Sequence, residues 1–113
     1  MIFVFIEDGT LDVIENIKEA RKEYEGIDVE NGVYDFYDEK GNYLLPVFTK
    51  QNKHSRRLFG LFSTVESGEY NLEVSNESDH ESFLSMLEDT QFLNENIWFT
   101  SLEEIKSKYE PNT

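Results

Sequence analysis

Residues 33–74 read VYDFY DEKGN YLLPVF TKQNKHSRR LFGLFSTV ESG EYNLEV, and this stretch decides the fold. Apolar and aromatic residues recur at every second position in four of these segments, the period of a half-buried strand, with short polar or glycine-bearing runs between them. The spacing predicts two hairpins. One pairs 33–37 with 43–48 around DEKGN (38–42), a glycine-containing turn of ordinary length. The other pairs 58–65 with 70–74 across Ser67 and Gly68. Alternation puts Tyr34 and Phe36 on one face of the first strand and Val33, Asp35 and Tyr37 on the other. Pro46 has no N–H for a ladder, which predicts an edge position or a bulge, and Gly60 predicts a bulge or a close backbone approach. Residues 49–57 read as a polar, basic loop.

Outside this stretch the chain reads as elements laid against a sheet. The opening IFVFI (2–6) is apolar at successive positions, so it predicts a central strand with both faces covered. Val13, Ile17, Ala20 and Tyr24, with Leu11 and Ile14 beside them, recur at helical spacing and predict a helix over 11–24 capped by Thr10. Its outer side carries a carboxylate ladder of Asp12, Glu15, Glu19 and Glu23, offset by Lys18, Arg21 and Lys22. Gly26 is expected just past this helix, where a left-handed backbone is easiest, with 27–32 a solvated turn. The polar cluster at 76–79 starts a second helix, over 79–88, with Phe83, Leu84 and Leu87 inward. Phe92, Leu93, Ile97, Trp98 and Phe99 make an aromatic connection packed under the sheet. A third helix, over 101–109, is capped by Thr100 or Ser101 and stopped by Pro111. The expected fold is therefore α+β and a single domain over 1–113. An antiparallel sheet of four or five strands packs with an N-terminal helix and two short C-terminal helices.

Charge narrows the classes of partner. Twenty-four acids against ten bases give −14, a balance that repels nucleic-acid phosphates and anionic membranes and attracts a basic protein. Residues 1–39 hold twelve acids and three bases, and 58–113 hold twelve acids and two bases. Residues 40–57 hold five bases and no acid, which isolates Lys50, Lys53, Arg56 and Arg57 around His54. The paired arginines suit a phosphate or carboxylate, so Lys53, His54, Arg56 and Arg57 are candidate anion or partner contacts. The absence of cysteine removes thiolate chemistry and fits a reducing, cytoplasmic setting. The apolar opening is too short to span a membrane and lacks the basic start of a signal peptide, so a soluble protein is expected.

Catalytic signatures are sparse. There is no nucleophile elbow, no phosphate-binding glycine loop and no calcium-loop spacing in 27–32, and the two histidines, His54 and His80, are not spaced as a zinc pair. No catalytic residue, metal or cofactor is assigned. Acids interleaved with aromatics in the sheet, Asp35, Asp38, Glu69 and Glu73 with Tyr34, Tyr37 and Tyr70, form the predicted partner-binding surface, because aromatic and charged anchors carry disproportionate interface energy.

IDVENG (27–32) followed by YDFYDEKGNYLLPVF (34–48) resembles a set of small bacterial proteins, and the whole chain resembles in character the immunity proteins of bacterial polymorphic-toxin and contact-dependent inhibition systems. That resemblance implies a compact acidic inhibitor that covers the active site of a cationic toxin domain, frequently a nuclease. The leading expectation is a non-enzymatic, monomeric immunity protein. The alternatives are a small hydrolase or transferase using acids with His54 or His80 in a cleft, and a regulatory or adaptor domain.

Overall fold

The structure, a computed structural model, describes the backbone of residues 1–57, 62–75 and 81–110, with the side chains of all of these except 54–57 and 62–66. Its centre is β1 (Ile2–Ile6), flanked on both sides and covered on both faces. One flank is β2 (Thr10–Ile14), antiparallel to it. The other is β3 (Tyr34–Asp38), also antiparallel, in register Val4↔Phe36. Beyond β3 come β4 (Tyr43–Lys50) and β7 (Glu69–Val74), while β8 (Phe92–Leu93) adds in parallel to β2. The sheet thus has six strands in the order β7-β4-β3-β1-β2-β8, one or two more than the sequence predicts. The α+β class and the hairpin 33–48 stand as expected.

Alternation along β1 divides the core in two. Ile2 and Val4 face a first core with Ala20, Tyr24, Val29, Phe36, Leu44, Tyr70 and Leu72. It is covered by α1 (Ile17–Glu23) and α2 (Gly26–Glu30). Phe3 and Phe5 face a second core with Leu11, Val13, Tyr37, Phe83, Leu87, Phe99 and Ile105 under α3 (Phe83–Asp89) and α4 (Leu102–Tyr109). Phe83 is the hub of this second core, its ring 4.8 Å from Phe3 and 4.9 Å from Tyr109.

Three expectations are corrected. Residues 11–24 are not one helix: TLDVI alternates along β2, with Leu11 and Val13 turned into the second core. The turn before it is closed by Asp8, which accepts the Thr10 N–H at 3.0 Å, so Thr10 opens a strand and caps nothing. The helix cap is Asn16, whose side chain accepts the Glu19 N–H at 2.9 Å, and Ala20 and Tyr24 still face inward as the helical spacing requires. The second hairpin is also repaired. β7 pairs with β4, and β6 (Phe62–Glu66) pairs with β5 (Lys53–Arg57) as a separate two-stranded ribbon. The pairs Lys50↔Glu69 and Lys53↔Glu66 show that the ribbon prolongs the β4–β7 hairpin, so the basic segment at 53–57 is strand and not loop. The turn at 27–32 becomes α2, which Gly26 begins, while the left-handed backbone falls at Gly32 (φ 75).

Gly26 and Gly68 instead serve a close approach. Asn52, between β4 and β5, donates to the Gly26 carbonyl at 3.1 Å and to the Glu30 carboxylate, and accepts the Gly68 N–H at 2.6 Å. A Cβ on Gly68 would lie 1.9 Å from the Lys50 carbonyl oxygen. Asn52 therefore ties the root of the ribbon to α2.

Pro46 sits where β3 has already left β4. The Ser75 N–H bonds to the Tyr43 carbonyl, so the pair Leu44↔Val74, and two residues on Pro46↔Leu72, exchange no ladder bonds. The proline nitrogen points to the open side, as an edge position demands. The helix predicted over 79–88 is α3, capped by Ser82, and its expected start at 76–79 lies outside the described residues, as do Gly60 and Pro111. The helix predicted over 101–109 is α4, with Ser101 accepting the Glu104 N–H at 3.1 Å and Glu104 returning to Thr100. In the aromatic connection Phe99 is buried, whereas Phe92 and Ile97 are exposed, 64% and 89%.

Phe36→Ala is expected to cost about 3–5 kcal/mol, read from the urea midpoint, because it opens a cavity where α1 meets the sheet. Glu19→Ala, on the outer side of α1, is expected to stay within about 0.5 kcal/mol. Asn52→Ala removes three bonds at the root of the ribbon and is expected to cost about 1–3 kcal/mol. It should also raise amide exchange across β5 and β6 before the central strands are affected.

Candidate functional site

The sheet separates the residues that the sequence groups as one surface. Tyr37 and Tyr70 are buried, at 1% and 2% exposure, and their hydroxyls are engaged within the protein. Tyr37 donates to the Glu81 carbonyl and Tyr70 to the Tyr24 carbonyl at 2.9 Å. Burial pushes the Tyr70 hydroxyl up to about 12, with Arg21 nearby pulling it back. Tyr34 is half-buried, its ring 4.5 Å from that of Tyr24. Of the three tyrosines, Tyr34 alone keeps a partly open face.

The four carboxylates also part company. Asp38 builds the β3–β4 turn: it accepts the N–H groups of Lys40 and Asn42 at 2.9 Å each and the Asn42 side-chain amide at 3.1 Å. Glu69 and Glu73 are exposed on β7, where alternation places them opposite Tyr70 and Leu72 and on the side of the half-open Leu45. Asp35 shares that face but lies two strands away, on β3 beyond β4. It lies on the second face, at the end of the sheet where α3 begins.

Around Asp35 the fold makes an acidic cavity of about 260 Å³. Its walls come from segments far apart in the chain: Glu7 after β1, Gly32 and Val33 before β3, and Glu81, Met86 and Asp89 around α3. The Glu7 N–H bonds to the Val33 carbonyl at 3.0 Å and fixes the first two against each other. Tyr37 fixes the third through its bond to Glu81. Burial, and then the charge of Glu81, hold the Asp35 carboxyl above the usual aspartate range. Four carboxylates line one open cavity, an arrangement that favours an incoming cation, because a positive group there offsets the repulsion between Glu81 and Asp35.

A second acidic feature was hidden by the helical reading of 11–24. Asp12, on β2, accepts both the Tyr24 hydroxyl and the Asn94 side-chain amide. Burial first, then that bond and the charge of Asp12, drive the Tyr24 hydroxyl far above the ordinary tyrosine range. Asp12 is therefore a tie between α1, β2 and the segment after β8 and not part of an exposed ladder.

Lys53 is exposed and opposite Glu66 in the ribbon. His54, Arg56 and Arg57 occupy the positions opposite Val65, Ser63 and Phe62. His80 lies outside the described residues. Among the described residues no group of three or more His, Asp and Glu is arranged to hold a metal ion, and no helix is long and apolar enough to cross a membrane. No family model, curated protein or solved structure matches the chain.

The Asp35 shift makes a pH prediction. Its folded value lies above its unfolded one, so the folded state holds the proton longer, and stability falls as pH rises through the interval just above the ordinary aspartate value. Asp35→Asn abolishes this dependence. Melting temperatures of the two proteins, followed from acid to neutral pH, are expected to diverge upward in favour of the variant.

Proposed function

We propose that this chain is a non-enzymatic binding protein that neutralises a basic protein partner, most concretely an immunity protein acting on a cationic toxin domain. The observation that supports this reading best is the open acidic cavity, in which Glu7, Asp35, Glu81 and Asp89 surround space for one long cationic side chain. A lysine or arginine entering it would find several carboxylates at once. The net charge of −14 supplies the long-range attraction that would bring such a partner in, and the cavity, with its half-buried Asp35, supplies the contact that would hold it. Glu69 and Glu73 on β7, beside Leu45, form a second acidic surface with an apolar neighbour. They replace Tyr37 and Tyr70 as the accessible part of the interface expected from sequence.

The test uses the purified protein and the basic domain encoded by a neighbouring gene. Association is expected to slow on the order of tenfold or more between low and physiological salt, as the Debye length shortens to about 8 Å. Replacing Asp35 and Glu81 by Asn and Gln is expected to raise the dissociation rate, whereas replacing Glu15, Glu19 and Glu23 on and beside α1 changes only the association rate. Absence of binding and of protection in cells, together with turnover of a small substrate that requires His54 or His80, would replace this reading by the enzyme.

A further inference from the structure

Seven of the ten bases lie either in the segment 18–22 or in the segment 50–57, which are separated in sequence by an acidic run. The fold brings the first segment up to the root of the ribbon, beside the start of the second. α1 packs against β7, and between them runs a groove of about 410 Å³ lined by Lys18, Arg21 and Lys22 on α1 and by Ser67, Gly68 and Glu69 at the root of the ribbon. Lys18 stands one turn from both Arg21 and Lys22, so the three cations share a face of the helix. Lys50 and Lys53 flank Asn52 directly across the root, paired in register with Glu69 and Glu66.

The state of these cations is unusual for so acidic a chain. Among the described residues the one ion pair is Lys22 with Glu19, at 3.5 Å and exposed, and neither Lys18 nor Arg21 has a carboxylate partner. Glu25 and Glu69 line the same groove without closing on them. Lys18 and Arg21, held unpaired beside an open volume, raise the local potential there. The geometry points to a binding site for a compact phosphate-bearing ligand in the groove between α1 and the root of the ribbon. Arg21 supplies the fork that matches two phosphate oxygens, and Lys18 and Lys22 supply point charges on either side. The size suits a diphosphate or a nucleotide. A nucleic-acid strand is disfavoured, because the chain as a whole is strongly negative and offers few cations beyond this groove for further phosphates. The site is independent of the acidic cavity and of the partner proposed for it.

The experiment is calorimetric titration of the full chain with inorganic pyrophosphate and, separately, with ADP, at physiological ionic strength. There screening limits the repulsion from distant acids to about 8 Å. Saturable binding of pyrophosphate is expected, weakened about tenfold or more in Arg21→Gln and in Lys18→Gln and unchanged in Lys106→Gln on α4. Glu25→Gln is expected to bind more tightly, a change that a purely structural role for Glu25 would not produce. Equal affinity for pyrophosphate and ADP assigns the recognition to phosphate alone, and tighter ADP binding adds the nucleoside to the ligand; both support the site. No saturable binding of either ligand, or equal weakening by Lys106→Gln, overturns it.

Discussion

The structure depends on one strand being apolar on both faces. Phe3 and Val4 are adjacent in β1, fully buried, and point to opposite sides of the sheet. Each such side chain contributes about 1.5–3 kcal/mol only if its own side is covered, so the chain must supply a layer above and a layer below. It does so in order. The residues after β2 form α1 and α2 over Val4, and the last thirty or so described residues form α3 and α4 over Phe3. The ladder edges of β1 impose the same demand sideways, met by β2 and β3.

Tyrosine hydroxyls then lock the layers. Tyr24 reaches Asp12, Tyr70 reaches the Tyr24 carbonyl, Tyr37 reaches the Glu81 carbonyl, and Tyr109 reaches the Glu39 carbonyl at 2.6 Å. Each bond joins a ring of one element, buried for Tyr24, Tyr37 and Tyr70 and half-buried for Tyr109, to the backbone or side chain of another, so the rings pack apolar surface while their polar ends stay satisfied. This is why aromatic residues interleaved with acids along β3 and β7 do not make an aromatic surface. Tyr37 and Tyr70 turn inward while Glu69 and Glu73 stay exposed, which leaves an exterior rich in charge.

The same architecture sorts charge. One end of the sheet, with α3 beside it, gathers Glu7, Asp35, Glu81 and Asp89, which are seventy and more residues apart at their extremes. Beside the ribbon root, α1 lines a groove with Lys18, Arg21 and Lys22. A chain that is acidic on average is thereby acidic in one cavity and basic in one groove, and opposite ligands are suited to the two.

The sequence by itself determined the features that rest on local chemistry. These are the two-faced β1, the hairpin around DEKGN, and α4 with a cap at Thr100 or Ser101. Period, turn residues and caps act within a few positions, so they can be read without knowing the rest of the chain. What only the tertiary structure decided are the pairings and meetings across distance. TLDVI fits a strand or a helix turn equally over five residues, and the open edge of β1 settles it as strand. β6 and β7 are similar in pattern, but β4 already presents its ladder to β7, so β6 must fold back on β5. Asp35 meets Glu81, and Arg21 meets the ribbon root, for the same reason: cores and ladders place distant segments, and isolated side chains carry no local mark of the neighbour they will have.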